Sequence, residues 1–168
     1  MKIFLIGFMG CGKSTLGKKL AAKLGYDFID LDHVLENEVG SNIGEFFAAN
    51  GEDAFRKLES KLLKEHNYPA NCIVATGGGA PCYFDNMDWM NENGITMYVE
   101  LPPVALARRL EKGKEKRPLI KDMDHEQLID FIESKLAERD LFYKRAFLSI
   151  DGINVTPDKA LAELSQVI

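Results

Sequence analysis

Apolar runs alternate with amphipathic stretches along this chain. The run "KIFLI" at 2–6 is short and unbroken, the pattern of a strand covered on both faces. From 14 to 24, "STLGKKLAAKL" spaces Leu16, Leu20 and Leu24 four apart, which predicts a helix. A short strand is expected over 27–31, ending in "DLD", with helical patterns near 32–38, 42–49 and 52–66. Residues 71–75 read as a third strand, 84–92 as a helix, and "ITMYVEL" at 95–101 as a fourth strand. Pro102 and Pro103 then open a helix through Leu110, because proline is tolerated in a first helical turn. Residues 111–122 are charged and poorly patterned; a long helix is expected from about 124 to 144, a strand near 147–150, and a last helix from about Pro157. Strands alternating with helices predict an α/β domain with a mostly parallel sheet. In such folds ligands gather at the carboxyl ends of the strands.

The length of 168 residues suits one domain, with no linker or repeat to divide it. Hydrophobic residues make up 46% and charged residues 28%, and no apolar run approaches a membrane span. The apolar start is broken by Gly7, Gly10 and Gly12 and is read as the first strand rather than a leader. The net charge of −5 argues against a general nucleic-acid binder. Cys11, Cys72 and Cys82 have no zinc spacing with one another or with His33, His66 and His125, so reduced thiols are expected. These features lead us to expect a cytoplasmic protein that binds neither nucleic acid nor membrane; a monomer acting on a small molecule is expected as well.

The chemistry begins at 7–15, "GFMGCGKST". Gly7, Gly12, Lys13 and Ser14 satisfy G-x-x-x-x-G-K-[ST], with a strand before and a helix after. Glycines let backbone N–H groups turn inward around an anion, and the helix that starts there adds its positive end. Lys13 is expected to reach the β- and γ-phosphates and Ser14 to ligate magnesium. The motif says nucleoside triphosphate; the acceptor must be read elsewhere.

Asp30 and Asp32 stand two apart at the end of the second strand, which would put both on one face. A cation or a polyol between them would relieve their repulsion; a solvated turn with Asp32 as a helix N-cap is the plainer reading. Arg139 lies in the apolar stripe of Leu128, Ile132, Leu136 and Tyr143, so it needs an anionic partner, either a protein carboxylate or a substrate carboxylate. Arg56 can pair with Glu52 or Glu59 along its helix. The basic segment "EKGKEKRPLIK" at 111–121 reads as a lid, with Arg117 held extended by Pro118. The third strand runs into Gly77, Gly78 and Gly79, where phosphate-handling proteins often place an acid near a metal ion.

The cradle, the "DLD", the "FR" with Glu59 three residues on, the "TGGG", the "RPL" and the "ERDLFY" occur in this order over residues 1–150. Together they resemble the shikimate kinase family. The resemblance implies a three-layer α/β/α fold of the nucleoside monophosphate kinase type, with a five-stranded parallel sheet and a lid at about 111–123. It implies transfer of the ATP γ-phosphoryl group to the 3-hydroxyl of shikimate, in the chorismate route to aromatic amino acids, with ATP and Mg2+. By the family pattern, Gly10, Cys11, Gly12, Lys13, Ser14 and Thr15 cradle the nucleotide, and Arg117 contacts the transferring phosphates. Asp30 and Ser14 attend the metal ion. Asp32 receives shikimate hydroxyls and can accept a proton. Arg56 and Arg139 hold the carboxylate, and Gly77, Gly78 and Gly79 offer backbone. Arg108 and Arg109 are both candidates for adenine, and Arg109 and Asn154 are expected beside it. Two arginines with two aspartates describe a hydroxy-acid acceptor, so a gluconate kinase on the same fold is the alternative. A binding module without catalysis is the alternative in class.

Overall fold

The computed structural model describes residues 1–168. Its strands are β1 (Lys2–Ile6), β2 (Asp27–Asp30), β3 (Cys72–Ala75), β4 (Ile95–Glu100) and β5 (Leu148–Asp151). They form one sheet in the order β2-β3-β1-β4-β5, and every neighbouring pair is parallel. The helices are α1 (Lys13–Leu24), α2 (Leu31–Val39), α3 (Ile43–Glu65), α4 (Asn86–Asn93), α5 (Pro103–Glu111), α6 (His125–Tyr143) and α7 (Pro157–Leu164). Ile3, Phe4, Leu5 and Ile6 point alternately to opposite faces of the sheet, yet all four are fully buried. Both faces of the sheet are therefore covered, which is why its central strands carry unbroken apolar runs.

Because all strands run one way, their carboxyl ends form a single edge. The loop after β1, the β2–α2 junction, the glycines after β3 and the loop after β5 all meet there. The central position of β1 puts its loop between those after β3 and β4, at the point where the strand order reverses.

Two local features differ from a reading of periodicity. The strand β2 stops at Asp30, and the chain is already helical at Leu31. Asp30 and Asp32 thus do not share a strand face. Asp30, not Asp32, is the N-cap of α2: its carboxylate accepts from the Asp32 backbone N–H at 3.0 Å, and Asp32 lies in the first helical turn. Carboxylate capping of the free N–H groups outweighs one more residue of strand. The expected pair of helices near 42–49 and 52–66 runs as α3, broken at Gly51, whose φ of 84° and ψ of 173° are non-helical.

The segment expected to be a lid follows α5 and holds a 3-10 turn, Lys114–Lys116. Lys114 donates to the Met123 carbonyl at 2.8 Å and pairs with Glu111 at 3.0 Å. Ile120 is fully buried in the main core, so the segment is pinned there while Arg117 stays exposed.

Candidate active site

The phosphate cradle is built by main chain. Gly12 caps α1 in the left-handed region, φ 98°, and no side chain caps that helix. The first N–H groups of α1 are therefore left to an anion. Lys13 is buried, and its ammonium donates to the carbonyls of Gly7 at 2.6 Å and Phe8 at 3.1 Å. The cysteine at the variable position, Cys11, is fully buried with its Sγ 3.6 Å from the same ammonium. Ser14 and Thr15 are exposed at the start of α1. The Ser14 hydroxyl donates to Asp30 at 3.1 Å, which joins the two residues expected near a metal ion.

On the nucleotide side, Arg109 donates to the Cys11 carbonyl at 3.0 Å and the Gly152 carbonyl at 3.3 Å. It thereby ties the cradle to the loop after β5, whereas Arg108, exposed like Arg109, makes no hydrogen bond to either. Asn154 is exposed in that loop with φ 54°, and it is the Gly152 carbonyl, not Asn154, that meets Arg109. Arg117 reaches from the lid segment to the Met9 sulfur at 3.8 Å, which sets its guanidinium over the cradle.

The glycines after β3 are explained by what presses on them. A Cβ at Gly77 would stand 2.7 Å from a Glu59 oxygen and 3.3 Å from an Asp32 oxygen. At Gly79 it would stand 2.6 Å from both terminal nitrogens of Arg56. At Gly78 it would meet the Met9 N–H nitrogen at 3.1 Å and an Arg139 nitrogen at 3.4 Å. The bare backbone lets Glu59 and Arg56 press this close, and Asp32 and Arg139 border the same turn. Periodicity placed Arg139 inward, and the structure agrees. Its guanidinium lies over the Phe8 ring at 5.4 Å, and it forms no ion pair with any protein carboxylate.

Arg56 does pair within its helix, with Glu59 at 3.0 Å and Glu52 at 3.6 Å. The Glu59 side chain is only 6% exposed and that of Arg56 12%. Burial lifts the Glu59 carboxyl above its ordinary range, and Arg56 pulls it back without overcoming that. Burial works most strongly against the Arg56 charge, but Glu59, Tyr83 and Glu52 together outweigh it and hold the guanidinium proton tighter. Both groups thus hold their protons more tightly, which favours the charge on Arg56 and opposes the charge on the deeper Glu59, where Asp32 adds to burial. Burial first, then Asp30, raises the Asp32 carboxyl, with Lys13 pulling the other way.

Glu59, expected as a helix partner of Arg56, does hold its guanidinium beside the glycine turn. Sequence reasoning missed two contributors. Tyr143 was counted as plain core, yet its hydroxyl donates to the Gly78 carbonyl and ties α6 to the glycine turn. Tyr83 gave no signal, because only the fold brings it to Arg56.

Comparison with known proteins identifies the family. A family model described as shikimate kinase matches residues 9–168. A shikimate kinase of Parabacteroides distasonis is 39% identical over 167 residues, spanning 99% of this chain and 96% of that protein. One of Phocaeicola vulgatus is 45% identical over 145 residues, spanning 86% of this chain and 83% of that protein. The crystal structure of shikimate kinase from Bacteroides thetaiotaomicron matches with a TM-score of 0.91 at 38% identity, covering 99% of this chain and 97% of that one. A shikimate kinase from Acinetobacter baumannii, solved in complex with shikimate, matches at 0.80 with 33% identity, covering 98% and 90%. A gluconokinase from Sinorhizobium meliloti, at 18% identity and a TM-score of 0.57 over 99% of this chain and 92% of that one, shares the fold alone. The cradle, the glycine turn and the arginines around it sit in a chain that belongs to the shikimate kinase family of ATP-dependent phosphotransferases.

Proposed function

We propose that this chain transfers the γ-phosphoryl group of ATP to the 3-hydroxyl of shikimate. What carries the reading is Arg139. An arginine on an apolar helix stripe, facing the glycine turn with no protein carboxylate within ion-pair reach, calls for an outside anion. Arg56 borders the same turn from the other side, so the two guanidinium groups can share one carboxylate. Asp32, beside Gly77, is left for hydroxyl groups. A carboxylate on a small hydroxylated ring satisfies all three.

In the reaction the acceptor oxygen bonds to the γ-phosphorus, the bond from that phosphorus to the β,γ-bridging oxygen breaks, and ADP leaves. Lys13 and the N–H groups at the start of α1 stabilise the phosphate oxygens, and Arg117 from the lid segment meets the transferring group. Asp32 orients the acceptor hydroxyl and accepts its proton; its raised affinity for a proton suits that task. Alignment contributes more than basicity in such transfers. Ser14 and Asp30 offer two hard oxygen donors 3.1 Å apart beside the cradle, a set that fits Mg2+ and would hold it there. When bound, that ion neutralises charge on the β- and γ-oxygens. Arg109 and the loop bearing Gly152 and Asn154 border the expected adenine position. A monomer in the cytoplasm is the setting we propose; the three unpaired cysteines support a reducing compartment.

The test is a coupled ADP-release assay with shikimate, gluconate and nucleoside monophosphates in parallel. Turnover with shikimate alone is expected. Turnover with gluconate and not shikimate defeats the assignment, and binding of shikimate with no turnover in any arm would indicate a module that lost the chemistry.

A further inference from the structure

Beyond Phe55 and Glu59, which its motif carries, Arg56 is met by Tyr83 and Glu52. Its guanidinium carbon lies 4.3 Å from the centre of the Tyr83 ring and 5.0 Å from that of Phe55. The Tyr83 hydroxyl donates at 2.8 Å to Oε1 of Glu52, and that same oxygen is the one 3.6 Å from Arg56 Nε. Arg56 Nε is buried and is the one buried side-chain polar atom without a hydrogen bond. Glu52 therefore faces the Nε edge from ion-pair range but stops short of bonding it, held by the tyrosine. Glu59 takes a terminal nitrogen at 3.0 Å, and both terminal nitrogens press toward Gly79. The fork is thus bounded by an aromatic plane, two carboxylates and a bare backbone turn.

Each contact restricts a different motion of the guanidinium. The ring restricts tilt out of its plane, which a planar cation over an aromatic face resists. Glu52 restricts rotation about the plane normal, but an exposed glutamate on a helix has little rotamer preference of its own. The hydroxyl of Tyr83, 31 residues away in sequence, supplies that preference. Glu52 and Arg56 are both on the helical turn that follows the break at Gly51, so their spacing of four is intact.

We infer that Tyr83 is a positioning residue for acceptor recognition, setting the orientation of the Arg56 fork through its ring and, via Glu52, through its hydroxyl. The inference rests on the reading that Arg56 binds the acceptor carboxylate. It does not touch the phosphate cradle, so its signature is confined to one substrate. A bidentate contact to a carboxylate loses its value when the fork is misaligned, while ATP binding proceeds at a separate set of groups.

The experiment compares Tyr83→Phe, Tyr83→Leu, Glu52→Gln and Arg56→Ala with the parent chain, using calorimetric titration of shikimate, KM for shikimate and for ATP, and melting temperature. Tyr83→Phe, which keeps the ring, is expected to raise the shikimate dissociation constant by about 3- to 10-fold, and Tyr83→Leu by about 10- to 50-fold. KM for ATP should stay within about 2-fold in both. Tyr83→Phe placed on Arg56→Ala should add nothing further, because the group it orients is gone. If Arg56→Ala weakens shikimate binding and neither Tyr83 variant does, the positioning role is overturned while the reading of Arg56 stands. If Arg56→Ala leaves shikimate binding unchanged, the reading of Arg56 fails and the inference falls with it. A Tyr83→Phe that lowers the melting temperature, or shifts both KM values alike, marks a structural tyrosine and overturns the inference. Should Tyr83→Leu fail to fold, Tyr83→Phe and Glu52→Gln carry the same decision.

Discussion

Arg139 shows how much one residue's surroundings decide. It sits three residues after Leu136 and four before Tyr143, both buried, so the helix itself turns it inward. It meets the Phe8 ring rather than a protein acid. Arg139→Ala is expected to weaken shikimate binding by about 2 to 5 kcal/mol while folding is little affected, since no internal ion pair is broken. Titration with shikimate and a thermal melt check this; a variant that unfolds but binds normally in its folded fraction would make Arg139 structural. Asp32 behaves in the opposite sense. Its affinity for a proton is raised in the fold above the ordinary value of 3.8, first by burial and then by Asp30. The folded chain therefore holds that proton more tightly than the unfolded chain. The resulting stability is complete below 3.8 and is lost as pH rises through the folded value. At neutral pH the ionised group is a cost, so Asp32→Asn should melt higher than the parent, with the difference closing as pH falls below about 4. The same change should lower kcat by about 100-fold or more if Asp32 accepts the proton. A parent and variant with identical melting curves from pH 4 to 7 would refute the electrostatic cost.

At the scale of elements, the informative places are the joins. The β2–α2 junction could be read as strand through 31 or as helix from 31, because Leu31 suits either state. The capping bond from Asp32 N–H to Asp30 decides it, and a period-two argument cannot see such a bond. The α6 start was better marked: Asp124 and Gln127 form a reciprocal capping box, and the helix opens at His125. The break in α3 was legible as two helical patterns, but its cause was not. Gly51 adopts φ 84°, ψ 173°, a region closed to side-chain-bearing residues, and no atom lies within 4 Å of where a Cβ would be. Gly51→Ala should therefore cost about 1 to 3 kcal/mol of stability through backbone strain alone. Urea unfolding measures it; an unchanged midpoint would mean that the helix runs straight through at no cost.

For the whole molecule, the parallel sheet turns scattered loops into one edge. Binding there links distant segments, so shikimate should stabilise the entire fold. At about 100 times its dissociation constant the gain is about 2.7 kcal/mol, visible as a rise in melting temperature that gluconate does not produce. No rise with shikimate would contradict an acceptor site at that edge. The chain by itself determined its alternation of strands and helices, because burial periodicity is a local property. It also determined the phosphate cradle, whose glycines, lysine and serine are contiguous, and the inward stripe that carries Arg139. Only the tertiary structure decided that Arg109 rather than Arg108 meets the cradle, across 98 residues, and that Tyr143 holds Gly78 across 65. It alone showed that Glu59 crowds Gly77, the Met9 main chain Gly78 and Arg56 Gly79. These contacts join segments whose sequences carry no trace of one another. Whether two such groups meet depends on strand order and on which helix face turns inward, and no local pattern encodes that.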